Sequence, residues 1–311
     1  MVHLNARAHV LFATQHGVAS LDQLMSTGIT TSQLKRLRTA GAIERILNTA
    51  YRSPSVPFDE MSRCAAVCLA HADTAVAGPT AGRLWGFRRL PADHRIHVLA
   101  PPASHPFAPD WVIPYRTAAF HPHDIIERSD GIRVTSRART AFDLSRWLRP
   151  SDLLSVIEQA AHDGNLTDAD LHEVAIDWVS PRRPWATVFL RQVGRRLPGG
   201  AAESHPEVRV ANALANASVF GLVRQFRIDL PDYGAARFDL AVPRLKWAIE
   251  VDVHPTHGET EGTRNDQRRD IAARSAGWEV SRISRSLYEN SFDQTITDLA
   301  AHFRSRTQRS A

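Results

Sequence analysis

A chain of 311 residues, 43% hydrophobic and 23% charged, has room for two or three domains and no run approaching the ~20 apolar residues of a membrane helix, so a soluble globular protein is expected. Its two cysteines, Cys64 and Cys68, exclude a disulfide framework and a four-ligand zinc site, and read as reduced core residues of one helix. The net charge of +5 is carried almost wholly by arginine, which suits phosphate contacts; Met1–Arg7 lacks the basic start and apolar run of a secretory signal, so the cytoplasm is the expected compartment.

The chain opens with an apolar-periodic stretch, Ala6–His16, ended by Gly17. Ser20 caps a short helix, Leu21–Ser26, and Thr31 is the expected cap of a second, Ser32–Ala40, closed by Gly41. In that second helix Leu34 and Leu37 face inward, leaving Lys35, Arg36 and Arg38 outside. Ala42–Arg52 reads as two short strands around Asn48. Helix, turn, basic helix and wing over residues 1–53 predict a winged helix-turn-helix, whose second helix enters the major groove with Lys35, Arg36 and Arg38 facing DNA. A solvated charged face on an ordinary helical bundle is the alternative reading.

Pro54 and Pro57 mark a boundary, after which residues 58–197 alternate helices (Met61–Ala72, Thr80–Leu84, Thr140–Leu148, Leu153–Asp163) with strands (Ile96–Leu99, Val112–Tyr115), a mixed α/β domain. No phosphate loop, dinucleotide fingerprint or nucleophile elbow occurs, and the histidines are scattered, so they read as structural or exposed. Leu197-Pro-Gly-Gly200 is a linker. The remainder, residues 201–306, reads as αβββαβα: helix Ser204–Ala217, strands Val223–Asp229, Arg237–Val242 and Trp247–Val253, helix Arg264–Ala276, strand Trp278–Ser284 and helix Ser291–Arg304. The fold class is therefore multidomain α/β.

The chemistry concentrates in this last region. A tight bend at Arg244-Leu245 pairs Val242 with Trp247, and counting outward sets Asp239 directly across from Glu250. Like charges in opposition destabilise a sheet, and a hard divalent cation, Mg²⁺ or Mn²⁺, is the usual neutraliser. Strand alternation points Asp252 to the same face as Glu250, adding a third carboxylate; the same register sets Asp252 opposite Arg237, where a simple salt bridge is the alternative. Glu207 either completes this shell or closes a capping box by bonding back to the Ser204 amide. His254 and His257 follow the second acidic strand, where they could move a proton or be plain loop residues. Arg264, Arg268 and Arg269 open the next helix, a basic row suited to a phosphate backbone.

The runs Glu203-Ser-His-Pro-Glu207, Phe238-Asp239-Leu240, Ala248-Ile-Glu250-Val-Asp252, Arg269-Asp270 and Gly277-Trp-Glu-Val280 resemble the restriction-endonuclease-like domain of the PD-(D/E)xK superfamily, of the kind similar to very-short-patch repair endonucleases. The resemblance covers about the last third of the chain. It implies that Asp239 and Glu250 bind the metal and that Glu207 supports them. Many members carry a catalytic lysine where this chain has Asp252; relatives with an acid or a histidine nearby exist, and His254 or His257 could handle the proton instead. The first two thirds resemble the AbiEi antitoxin family through Gly17-Val-Ala-Ser-Leu-Asp-Gln-Leu24, Thr80-Ala-Gly-Arg-Leu-Trp-Gly86 and Val134-Thr-Ser-Arg-Ala-Arg-Thr-Ala-Phe-Asp-Leu144. That likeness implies DNA binding, transcriptional repression and a cognate toxin as partner. The expected function is a Mg²⁺-dependent DNA endonuclease of repair or phage defence; the alternative is an antitoxin-type regulator with an inactive nuclease fold.

Overall fold

The computed structural model describes residues 3–104, 109–118, 121–176, 178–179, 183–196, 204–253 and 260–309, the side chains of 260–266 and 309 excepted. His254 and His257 lie outside the described residues, as does the side chain of Arg264. The chain divides into two compact units, Met1–Trp147 and Leu148–Ala311.

The first unit begins α1 (Ala6–Thr14), β1 (Val18–Ser20), α2 (Leu21–Ser26), α3 (Thr31–Thr39), β2 (Glu44–Arg45) and β3 (Ala50–Arg52), with the three strands ordered β1–β3–β2 and paired antiparallel. Both α2 and α3 start from complete capping boxes, Ser20 with Gln23 and Thr30 with Gln33. The cap of α3 is thus Thr30 and not Thr31, because Thr30 has the extended backbone that lets its hydroxyl reach the Gln33 amide. Leu34 and Leu37 enter a core with Phe12, Leu24, Ile43 and Tyr51, while Lys35, Arg36 and Arg38 are exposed.

The unit continues with α4 (Glu60–Ala70), β4 (Ala75–Val76), α5 (Gly78–Leu84), β5 (Ile96–Ala100), β6 (Val112–Arg116), β7 (Ile125–Glu127), β8 (Arg133–Thr135) and α6 (Arg137–Leu144). The strands form a mixed sheet ordered β6–β5–β4–β8–β7. One core runs from Val18 and Ala50 through α4 to Val76, Ile96, Val98 and Val134, so the segments on either side of Pro54–Pro57 share their apolar interior. Cys64 and Cys68 are free and buried in that core, and burial pushes both thiols up, which keeps them protonated and inert.

The second unit comprises α7 (Pro150–Gly164), α8 (Asp168–Ile176), α9 (Pro184–Val193), α10 (His205–Asn216), β9 (Val223–Leu230), β10 (Gly234–Val242), β11 (Trp247–Asp252), α11 (Thr260–Ser275), β12 (Glu279–Ser284), α12 (Arg285–Asn290) and α13 (Phe292–Arg309). The order αβββαβα is present from α10 onward, with the extra turn α12 before the last helix. Helices α7 to α9, which the sequence reading grouped with residues 58–197, fall in this unit: Leu154 packs on Val208, and Glu158 is an ion-pair partner of Arg224.

Its sheet is ordered β12–β11–β10–β9, antiparallel except for the parallel β11/β12 pair. On one side, Leu240, Val242, Trp247 and Ile249 pack with Leu214 of α10 and with Ile296 and Phe303 of α13. On the other, Ala241 and Ala248 meet Ala272 and Ala273 of α11 and the ring of Trp278. Coverage on both faces explains why β11 is almost continuously apolar, and why acids in it stand out.

Candidate metal centre

The β10–β11 connection is a single 3-10 turn, Pro243–Leu245, followed by Lys246 in the left-handed region at φ 47°. It is wider than a two-residue loop but keeps the same midpoint, so Val242 pairs with Trp247, Ala241 with Ala248 and Leu240 with Ile249. The next position brings Asp239 to Glu250, and the two side chains share a hydrogen bond. The backbone ladder between the strands stops there. Asp239 Oδ2 instead accepts the Val251 amide at 2.9 Å, so the carboxylate itself closes the gap between the strands.

A hydrogen bond between two carboxyl groups requires a proton on one of them. Burial, with Asp239 beside it, pushes the Glu250 carboxyl from an ordinary 4.5 up to about 8, against the opposing pull of Arg269 and Arg282. Glu250 Oε1 is buried and accepts no hydrogen bond; Arg269 Nη2 stands 3.5 Å from it, too long to satisfy it. Arg282 stands beside Glu250 in the β11/β12 register and is paired with Asp270 at 2.6 Å. Two facing carboxylates with an unsatisfied buried oxygen form the kind of donor set that a hard divalent cation takes.

Glu207 is buried at the start of α10, but it does not close the expected capping box onto the Ser204 amide. Its Oε1 accepts from the Ser204 hydroxyl at 2.7 Å and its Oε2 from Gln225 Nε2 at 2.8 Å. Gln225 has a φ of 49°, a left-handed backbone in the middle of β9. It is flanked by the pairs Phe238–Phe226 and Leu240–Arg224, and so stands across from Asp239.

The face alternation of both strands slips at these two positions. Arg224 turns to Glu158 of α7 while Phe226 turns to the Trp278 ring; Phe238 stacks with Trp278 while Leu240 enters the core with α10 and α13. In a regular strand each of these i, i+2 pairs would share one face. Gln225, Asp239, Glu250 and Arg282 thus form one row across four strands, kinked where the first two meet.

No protein-family model matches the chain. No match is found among curated proteins either. Among solved structures it is similar to the Rv2827c protein from Mycobacterium tuberculosis, with 16% identity, a TM-score of 0.39, and coverage of 61% of this chain and 76% of that one. Among the described residues no helix is long and apolar enough to cross a membrane.

The remaining residues singled out in the sequence divide into those near the row and those apart from it. Asp252 is exposed at the end of β11, and among the described residues no three His, Cys, Asp or Glu side chains gather to hold a metal ion. The expected third carboxylate therefore does not join the pair: β11 keeps its register with β12 as far as Asp252, but its ladder with β10 ends at Leu240–Ile249. That ladder does not extend to the expected pairing of Arg237 with Asp252. Arg269 is partly buried against Glu250 and so belongs to the site, whereas Arg268 is exposed and lines a groove with Pro231, Tyr233 and Ile271. Sequence reasoning missed Gln225 and Arg282, since neither a lone amide nor a lone arginine in a strand carries a local signal.

In the first unit Lys35 and Arg38 line a groove of about 610 Å³ with Thr39, Glu44 and Arg45. The Arg45 guanidinium donates to the carbonyls of Leu47 and Asn48, pinning the turn between β2 and β3.

Proposed function

We propose that this chain is a DNA-binding protein whose second unit is a restriction-endonuclease-like, Mg²⁺- or Mn²⁺-dependent deoxyribonuclease acting in repair or phage defence. The observation that carries the reading is the Asp239–Glu250 pair, held face to face by a shared hydrogen bond with Glu250 Oε1 left unsatisfied. Asp239 and Glu250 are the residues that hold the cation, and Mg²⁺ commonly binds through one or two carboxylates while keeping several waters. When bound, the metal supplies an activated water and stabilises charge developing at the scissile phosphate. Arg269 offsets part of the acidic charge in its absence, and the exposed Arg268 on the same helix is available to a phosphate.

The first unit supports delivery to DNA. Its order α1–β1–α2–α3–β2–β3, with the sheet β1–β3–β2 and the basic exposed face of α3, supports reading it as a winged helix-turn-helix. Replacing Lys35, Arg36 and Arg38 together by alanine is expected to weaken DNA binding across sequences and to lower the slope of log affinity against log salt by about 2–3. Fluorescence anisotropy over a salt series measures this; an unchanged slope refutes the assignment of α3.

A second reading rests on Asp252, which occupies the usual lysine position and is exposed. In that reading the nuclease fold is inactive and the chain is an antitoxin-type regulator paired with a toxin. Incubating supercoiled and linear DNA with wild type and Glu250→Ala, in Mg²⁺ and in Mn²⁺, separates the two. Metal-dependent nicking that the substitution abolishes supports the nuclease. Wild-type silence in both metals while DNA is still bound supports the regulator.

A further inference from the structure

The two guanidinium groups beside the acidic pair meet their carboxylates differently. Arg282 pairs with Asp270 at 2.6 Å, the same close geometry as Arg83 with Glu60 at 2.6 Å and Arg139 with Asp124 at 2.7 Å. Arg269 Nη2 stands 3.5 Å from Glu250 Oε1, although that oxygen is buried and accepts no hydrogen bond. An arginine kept solely to neutralise Glu250 gains by closing that distance, because a charge-assisted bond is shorter and stronger than a neutral one. The Arg269 side chain is 18% exposed, and its neighbour on α11, Arg268, is exposed, so positive charge runs from Glu250 out to the surface.

Arg269 stands at the oxygen that a metal ion would use. A divalent ion bonded to Oε1 at about 2.1 Å lies within about 6 Å of Nη2, where the two positive charges repel in a partly buried place. Net charge adds a second constraint. Asp239, Glu250 and Asp270, all ionised, outweigh Arg269 and Arg282 by one negative charge. A divalent cation turns this into one net positive charge, the amount that a single phosphodiester cancels. The planar fork of a guanidinium matches phosphate in two-point geometry.

We propose that Arg269 is a displaceable counter-ion, which stands at Glu250 while the site holds no metal and turns to a DNA phosphate when a divalent cation takes its place. The inference rests on the metal-centre reading above and deepens it, since it makes metal and substrate bind cooperatively. Arg269 disfavours the cation until a phosphodiester arrives to take the guanidinium, and by linkage the cation raises DNA affinity by the same factor.

The test uses the full-length protein and a fluorescein-labelled DNA duplex with a phosphorothioate backbone, which resists hydrolysis. Anisotropy reads DNA affinity with and without Mn²⁺, and the electron paramagnetic resonance of free Mn²⁺ reads metal affinity without DNA. The proteins are wild type, Arg269→Gln, Arg269→Lys and Glu250→Ala, the last giving the baseline because Mn²⁺ also screens DNA phosphates. Added Mn²⁺ is expected to raise the DNA affinity of wild type about 5–150-fold over that baseline. Arg269→Gln is expected to bind Mn²⁺ alone about tenfold more tightly than wild type, a repelling charge having gone, and to lose the gain in DNA affinity. Arg269→Lys keeps the charge without the fork and is expected to retain part of the gain. Arg269→Gln that binds Mn²⁺ no more tightly than wild type, or that keeps the full gain, overturns the proposal. So does wild type that binds Mn²⁺ but gains no DNA affinity over Glu250→Ala, an outcome that needs no Arg269 variant and leaves the metal centre standing. Wild type that binds no Mn²⁺ overturns the metal centre and this inference together.

Discussion

Glu250→Gln is expected to raise the stability of the metal-free protein above about pH 8 while ending Mn²⁺ binding and cleavage. The wild-type carboxyl carries a proton in the folded state up to about pH 8, whereas in the unfolded chain it loses that proton near 4.5. Between those limits the native state holds more protons than the unfolded one, so stability falls as pH rises through the window. The contribution is fully present below the unfolded value and is gone once the folded value is passed. Above that pH two carboxylates oppose each other in a buried place, at a cost on the order of a few kcal/mol. Glutamine keeps the shape and a donor for Asp239 but cannot ionise, so its melting temperature loses this descent. A divalent cation acts on the wild type in the reverse sense. It competes with the proton, so Mn²⁺ affinity rises with pH and levels off above about 8. Melting curves from pH 5 to pH 9 (roughly the span set by these values), with and without Mn²⁺, measure both effects. Parallel curves for the two proteins at every pH refute the buried-pair account.

Glu158→Ala has the largest expected effect on folding. Glu158 is 1% exposed in α7 and forms ion pairs with Arg224 and Arg196, the latter also paired with Asp168. Burial pulls the Arg224 pKa down to about 10, which shows how poorly solvated that guanidinium is. Deleting the Glu158 carboxylate takes an ion-pair partner from a buried charge, a loss of about 3–5 kcal/mol. For a unit of this size that lowers the melting temperature by roughly 6–20 °C. The double variant Glu158→Leu with Arg224→Met removes both charges and is expected to recover most of the stability, since apolar replacements for a buried pair are often neutral. Urea denaturation of the three proteins tests this: a single variant within about 1 kcal/mol of wild type rules out an energetic role for the pair.

The features that were legible in the sequence are those whose physics is local. The buried face of α3 follows from Leu34 and Leu37 one turn apart, and its basic face from what is left over. The opposition of Asp239 and Glu250 follows from the midpoint of one hairpin, which both the expected bend and the observed 3-10 turn share. The inertness of Cys64 and Cys68 follows from their place in an apolar helix. Asp252 marks where such counting fails: β11 runs regularly to it beside β12, but the β10 ladder ends earlier and the three carboxylates do not gather.

The sequence by itself determined which residues carry the acidic pair, where the strands of the last sheet fall, and which helix presents a basic face. Tertiary structure alone decided that Gln225 bends β9 toward Glu207, that Arg269 and Arg282 neighbour Glu250, and that α7 anchors the sheet through Glu158. The division has one physical reason: hairpin register and helical faces are set by nearest neighbours along the chain. Burial, like-charge opposition and strain are set by groups that meet only after distant segments have packed.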